Sequence, residues 1–227
     1  MTRRQLPLDF NAVQTYFVED FVVGKSNKMA HDTILNWPNW PSNGLLIYGD
    51  KKVGKTHLAH IFRHHAKAIF VHQENLQQLD QFSRFIQKDS AFIVDDAHTF
   101  VPRYQTQLFH LCNMIKEKEG YVLWTADRPA QAWDVQLKDL SSRLLAFPAL
   151  RIAQPEDALL EALLVKKMSE LQIEMNQSVS SFILTHTERS AEFLISFLEK
   201  LNHLSLSEKR KVTIPFIKEV MQLQEKV

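Results

Sequence analysis

The chain has one cysteine, Cys112, in 227 residues. An intramolecular disulfide is excluded, and the helical apolar spacing of LFHLCNMI around this thiol reads as a buried small side chain, not a nucleophile. Glycine is scarce too, at five residues, so it matters that two of them fall within one eight-residue stretch. Neither sign of charge dominates. Lys plus Arg number 27 against 26 Asp plus Glu, a formal +1 that argues against a large nonspecific DNA-binding surface. The longest basic cluster, Lys209-Arg210-Lys211, reads as a solvated loop. No apolar run approaches the ~20 residues that span a bilayer. The N-terminal residues carry arginines but no secretory apolar core, so a cytoplasmic location is the expectation. Internal repeats and low-complexity tracts are missing as well.

What remains is an ordinary globular balance, 45% apolar and 23% charged, with 15 phenylalanines to fill an interior. The length suits one medium α/β domain, alone or with a small appendage. Leu45-Leu46-Ile47-Tyr48 is a compact apolar run stopped by Gly49, the pattern of a buried strand entering a loop. HLAHIFRHH after Thr56 reads as the helix that follows. Further strand candidates are Ala68 to Val71, Ala91 to Val94 and Tyr121 to Thr125. Between them Leu76, Leu79, Phe82 and Ile86 recur at helical spacing, and residues 104–118 form an amphipathic helix. This alternation predicts an α/β fold, a parallel sheet with helices on both faces, whose ligands bind beyond the carboxyl ends of the strands. After about Ile152 the rhythm turns wholly helical, over 155–171, 176–186, 189–204 and 214–223. Ser178 or Asn176 can cap the second of these helices, and Thr213 with Pro215 starts the last. The expected organisation is a peptide over 1–10, a nucleotide-binding domain over 11–152 and a small all-helical domain over 153–227.

Gly49 to Thr56 reads GDKKVGKT and supplies every fixed position of a phosphate-binding loop, or P-loop. Gly49 and Gly54 let the loop turn so that backbone N–H groups aim at phosphate oxygens, and the following helix adds its positive end. Lys55 is the point charge for the β and γ phosphates, and Thr56 offers a hydroxyl to Mg²⁺. Asp95, directly after the FIV run, has the position to hold that metal, while Asp96 can orient or deprotonate an attacking water. A metal in front of the pair offsets the repulsion between the two carboxylates. At the next strand end Thr125 can present a hydroxyl to the γ phosphate, and Asp127-Arg128-Pro129 begins the loop beside it. Arg143, in DLSSRLLAF, reads either as a surface ion-pair partner or as an arginine that completes phosphate neutralisation in a neighbouring chain. His57, His60 and His64 share one helical face but lack convergent partners, so they read as surface or interface histidines.

Taken together, these segments resemble the AAA+ module of the DnaA-type family of bacterial replication initiators, and within it the shortened, regulatory Hda group, from Gln5 through Leu223. YFVEDFVVGKSNKMAH, residues 16–31, is similar to the segment that precedes the P-loop and wraps around adenine, which implies that Phe21, Val22 and Val23 contact or border the base. FIVDDAHTF resembles the magnesium segment. FHLCNMIKEKEGYVLWTADRP resembles the helix and strand leading to the γ-phosphate sensor, here Thr125 or Asp127. DLSSRLLAF resembles the arginine-finger segment, which implies an intermolecular role for Arg143, and the helical tail resembles the AAA+ lid. Relatives place a second nucleotide-sensing arginine near the start of the third lid helix; here Glu192 takes that register and Arg189, one turn earlier, is the candidate.

The resemblance extends to QLPLDF, which is similar to the peptide that docks such regulators on the DNA-polymerase sliding clamp (β subunit). Gln5 would supply hydrogen bonds and Leu6 the extended turn into Leu8 and Phe10, which fill an apolar pocket. The initiator's N-terminal interaction domain and DNA-reading helix-turn-helix domain are missing from this sequence, an architecture that fits a regulator without direct sequence-specific DNA binding. By resemblance the ligands are ADP (or ATP) and Mg²⁺, and the partners are DnaA and the clamp, with a monomer or a homodimer at rest. The implied function is stimulation of hydrolysis of DnaA-bound ATP. A non-hydrolytic replication adaptor and an independent DNA-stimulated ATPase or helicase loader are the alternatives, none of them membrane-associated.

Overall fold

A computed structural model describes residue 16 and residues 18–174 and 176–224. Among these, residues 16–154 form one compact unit and residues 155–224 another.

The first unit is built on five parallel strands, β1 (Gly44–Tyr48), β2 (Ile69–Phe70), β3 (Ala91–Val94), β4 (Tyr121–Ala126) and β5 (Ala149–Arg151), in the spatial order β2-β3-β4-β1-β5. Around them run α1 (Lys28–Leu35), α2 (Lys55–Ala66), α3 (Gln73–Gln77), α4 (Leu79–Phe82), α5 (Val101–Glu117) and α6 (Lys138–Ala146). Alternation along the strands sorts the core into two layers, as the two-residue period of a strand requires. Leu45 and Ile47 of β1 and Ile93 of β3 pack with Leu58, Ile61 and Phe62 of α2 and with Ile34 of α1. Leu46, Phe92, Val94 and Trp124 face the other way, onto Leu108, Leu111 and Ile115 of α5 and Leu140 of α6. Burial on both faces explains why β1, β3 and β4 read as continuous apolar runs, and it yields the expected α/β architecture.

Three elements depart from the sequence expectation. The helix expected through Leu76, Leu79, Phe82 and Ile86 is broken at Gln78, whose φ of −117° and ψ of 46° separate α3 from α4, and a 3₁₀ turn over Ser83–Phe85 follows. The apolar residues still point inward at helical intervals, so the spacing reports the buried side and not the continuity of the backbone. The helix expected from residue 104 starts at Val101 with a proline in its first turn, where a missing N–H costs little, and its backbone is non-helical at Tyr104. The edge strand β5 is three residues long, with two of them exposed, and has no pattern that could announce it.

The second unit consists of α7 (Asp157–Glu170), α8 (Gln177–His186), α9 (Ala191–Glu208) and α10 (Ile214–Gln224). Leu159, Leu160, Leu163 and Leu164 of α7, Ile183 of α8, Phe197, Leu198 and Leu201 of α9 and Phe216 and Ile217 of α10 are among its buried side chains. Of the two caps proposed for α8, Asn176 takes the position and accepts from the Val179 N–H at 3.0 Å, while Ser178 donates its hydroxyl to the same oxygen. Ser190 caps α9 in the same way, accepting from Phe193 N at 3.2 Å.

Candidate nucleotide site and the arginine face

The P-loop leaves the carboxyl end of β1, which lies between β4 and β5 in the sheet. Gly49 sits under the backbone of Ile152, whose carbonyl oxygen would lie 2.4 Å from any Cβ at that position. Gly54 begins α2 with φ at 97°, the left-handed region that a side chain disfavours, and so delivers the chain into the helix with its first N–H groups turned toward the loop. Lys55 is 7% exposed. A cation so buried needs partners, and its Nζ donates to the carbonyls of Gly49 at 2.9 Å and Asp50 at 2.7 Å. Burial lowers its pKa, and the carboxylates of Asp96, Asp95, Asp127 and Asp50 oppose that fall. Those carboxylates favour the charged form, the one that pairs with a phosphate.

Register brings the remaining groups to the same place. Val94 of β3 lies opposite Trp124 of β4, so Asp95 and Thr125 emerge side by side. The Thr125 hydroxyl, wholly buried, donates to Asp95 Oδ1 at 2.5 Å and accepts from the Asp96 N–H at 2.9 Å. Asp95 Oδ2 accepts from the Thr56 hydroxyl at 3.0 Å. Asp96 adopts φ of 49° and is exposed at the turn. One carboxylate therefore ties the loop helix to the ends of β3 and β4. A carboxylate and a hydroxyl within 3.0 Å of each other, next to a buried ammonium, make a donor set that fits Mg²⁺ and a polyphosphate. Asp127 follows β4, with Oδ2 at 3.3 Å from His98 Nε2 and Oδ1 accepting from Arg128 Nε at 2.9 Å.

Phe21 stacks on His31 with centroids 5.6 Å apart, meets His57 edge-on at 5.1 Å, and lies 3.3 Å from where a Cβ on Gly54 would be. An aromatic side chain thus stands beside the start of α2. Val22 is half-buried, with its carbonyl accepting from Asn27 Nδ2 at 3.0 Å, and Val23 is 41% exposed.

One further candidate of the same unit is not part of this constellation. Arg143 lies in the last turn of α6, its guanidinium 5.4 Å above the Phe109 ring. It lines a cavity of about 500 Å³ with Ser42, Asn43, Lys116 and Asp139. Ser42 and Asn43 precede β1, so this cavity is at the amino ends of the strands, the end opposite the P-loop. Arg189 belongs to the helical unit, where it is paired with Asp157 at the start of α7, and Glu192 lies in the first turn of α9. Gln5, Leu6, Leu8 and Phe10 lie outside the described residues. Sequence reasoning passed over His98 and Phe109. His98 had one signal, its place three residues after Asp95, and Phe109 had none beyond helical spacing.

A parallel sheet with the P-loop on an interior strand, a metal-compatible aspartate after β3 and a buried threonine on β4 defines an AAA+ nucleotide-binding module. The chain belongs to the family of the bacterial DnaA ATPase domain, whose model matches residues 12–147. The model of the Hda lid domain matches residues 157–221, so a DnaA-type ATPase domain and an Hda-type lid follow one another in one chain. Among solved structures, domain III of the replication initiation protein DnaA from Thermotoga maritima aligns with a TM-score of 0.79 at 20% identity, covering 91% of this chain and 95% of that one. AMPPCP-bound DnaA from Aquifex aeolicus gives 0.72 at 23% identity, over 85% of this chain and 66% of that one. The Holliday junction branch migration motor RuvB of Thermotoga maritima gives 0.71 at 13% identity, over 92% and 72%. At these identities the likeness is one of fold. No helix among the described residues is long and apolar enough to cross a membrane.

Proposed function

We propose that this protein is a regulatory inactivator of the replication initiator DnaA, promoting hydrolysis of the ATP that DnaA holds while itself anchored to the sliding clamp. The observation that carries the reading is the separation of Arg143 from the chain's own P-loop, at opposite ends of the sheet. A guanidinium so placed serves a nucleotide on another molecule, where it stabilises the charge that develops as the γ phosphate departs. The reaction is ATP plus water giving ADP plus phosphate. The chain's own site holds ADP (or ATP). Gly49, Gly54 and Lys55 cradle its phosphates, Phe21, Val22 and Val23 border the base, and Thr125 and Asp127 face the phosphate end. Thr56 and Asp95 hold Mg²⁺, which when bound neutralises phosphate charge, and Asp96 orients water. Arg189, released from Asp157, reads the phosphates from the lid. Gln5, Leu6, Leu8 and Phe10 engage the clamp. The organisation proposed is peptide 1–10, ATPase domain 11–152 and lid 153–227, acting in the cytoplasm beside the replication machinery.

The test is a reconstituted assay of nucleotide loss from ATP-bound DnaA in the presence of DNA-loaded clamp. Arg143→Ala should lower stimulated hydrolysis by roughly a thousandfold, the scale of a supplied arginine, with clamp association retained. Leu8→Ala combined with Phe10→Ala should abolish clamp association and, with it, clamp-dependent stimulation. Full activity in both variants would sink the proposal. DNA-stimulated turnover by the isolated chain, needing neither DnaA nor clamp, would favour an independent ATPase instead.

A further inference from the structure

Helix α6 carries Arg143, and no side chain of its own fixes where that helix begins. Leu137 stands at its N-cap position with no side-chain hydrogen bond, whereas α8 and α9 are capped by Asn176 and Ser190 from their own segments. The polar partner comes from another helix. Gln105, early in α5, accepts with its Oε1 from the backbone N–H of Gln136 at 2.7 Å and from that of Leu137 at 2.8 Å. A cap within its own segment satisfies a helix end wherever that helix lies, but an acceptor on a neighbouring helix satisfies it in one place only. Both N–H groups converge on a single oxygen, so the lead-in of α6 is held at one point of α5.

The same strip of α5 then meets the guanidinium. Phe109 follows Gln105 by one helical turn and lies on the same face, about 6 Å further along. Arg143 is about 9 Å along α6 from Leu137, and a helical side chain leans back toward the N-terminus. The Arg143 guanidinium accordingly sits 5.4 Å above the Phe109 ring. A ring face attracts a cation without directing any of its N–H groups, so this contact alone leaves the guanidinium loosely placed along the helix. Leu140 and Leu144 seat α6 on the core, but apolar contact is non-directional. The connection from β4, residues 127–137, bonds to itself, through Trp133 Nε1 to the Arg128 carbonyl and Gln136 Nε2 to Asp134 Oδ1. Gln105 supplies the directional fixed point.

We propose that Gln105 is a positioning residue for Arg143: by holding the lead-in of α6 it sets how far the guanidinium reaches toward a nucleotide bound to another molecule. This role rests on the reading that Arg143 acts on ATP held by DnaA.

The reconstituted assay of nucleotide loss from ATP-bound DnaA, with DNA-loaded clamp and increasing amounts of the full chain, separates the rate at saturation from the concentration at half-saturation. Gln105→Ala should lower the saturating rate about tenfold or more, because displacing a positioned group by about 1 Å costs on the order of a hundredfold. The half-saturating concentration should stay within about twofold, as it does when the lost interaction belongs to the transition state alone. Gln105→Glu, whose carboxylate accepts from the same two N–H groups, should return the saturating rate to within about threefold of the parent. Gln105→Met has the length of glutamine without its carbonyl oxygen and should behave as Gln105→Ala does, which keeps the role testable if the alanine variant does not fold. An unchanged saturating rate in Gln105→Ala or Gln105→Met, a loss confined to the half-saturating concentration, or a loss in Gln105→Glu equal to that in Gln105→Ala would each overturn the role of Gln105 and leave that of Arg143 standing. If Arg143→Ala leaves stimulated hydrolysis intact, the reading of Arg143 itself fails, and the role of Gln105 with it.

Discussion

The two ends of the sheet use charge in opposite ways. At the carboxyl ends of the strands Lys55 is buried and held by two backbone carbonyls, and the Asp95 carboxylate is locked by two threonine hydroxyls. At the amino ends Arg143 lies over the Phe109 ring, in a cavity shared with Lys116 and Asp139. The first arrangement holds Lys55, Thr56, Asp95 and Thr125 by hydrogen bonds before a ligand arrives, which is what retention of a phosphate asks for. The second leaves the donors of the guanidinium free to point outward, because a ring face attracts the cation without consuming its N–H groups. Under the proposed function, a site that keeps its ligand and a side chain that is lent to another molecule have different polar surroundings, and here they lie across one sheet.

This contrast can be broken most severely at the P-loop. Lys55→Ala should weaken nucleotide binding by about a hundredfold or more, since it removes a buried charge and leaves its carboxylates unopposed; isothermal titration measures the loss. If affinity survives, the carboxyl end is not the retaining one. A smaller effect is expected at the other end. Phe109→Leu keeps the packing volume but removes the ring face under Arg143. It should lower stimulated hydrolysis of DnaA-bound ATP by about two- to fivefold, the worth of an exposed cation–π contact, with nucleotide affinity of the chain itself unaltered. A change in affinity would show that the two ends are coupled.

The smallest effect concerns Cys112, which lines the arginine cavity yet is itself buried. Burial pushes its thiol up to about 12 from an ordinary 9.0, opposed by the Arg143 charge. Below pH 9 the thiol is protonated in both folded and unfolded chains and the shift has no effect on stability. Between 9 and about 12 only the unfolded chain ionises, so stability falls as pH rises, by at most about 1.4 kcal/mol per pH unit. Denaturant melts at pH 8 and 10 should show that fall, and Cys112→Ala should reduce it. At pH 8 the folded chain should resist alkylation; rapid modification would mean that the cavity opens down to its floor.

Legibility in the sequence followed the same division. The P-loop could be read because its chemistry is local: glycine, lysine and threonine within eight residues, after an apolar run that became β1. Asp95 could be read because β3 is buried on both faces and ends abruptly in charge. Family resemblance, and not spacing, singled out Arg143, since its meaning depends on Ser42 and Asn43, about a hundred residues away in sequence. His98 and Phe109 escaped notice because a side chain that meets its partner on another element leaves no periodic trace. Gln78 and the short strand β5 escaped for a plainer reason: the backbone there is set by tertiary packing on a stretch whose own pattern is neutral.

The sheet order also sets when the site can come into being. β1 and β3 carry the loop and the metal turn, yet β4, which comes later in the chain, lies between them. A chain synthesised only as far as Gly120 contains Lys55, Thr56, Asp95 and Asp96, but β1 and β3 would face each other across a gap of about 9.6 Å, two strand spacings with nothing in between. Docking of Tyr121–Ala126 fills that gap and brings in the Thr125 hydroxyl in the same event. Nucleotide capture is therefore acquired late and in one step, and the growing polypeptide can gain no stability from its ligand until the central part of the sheet is complete.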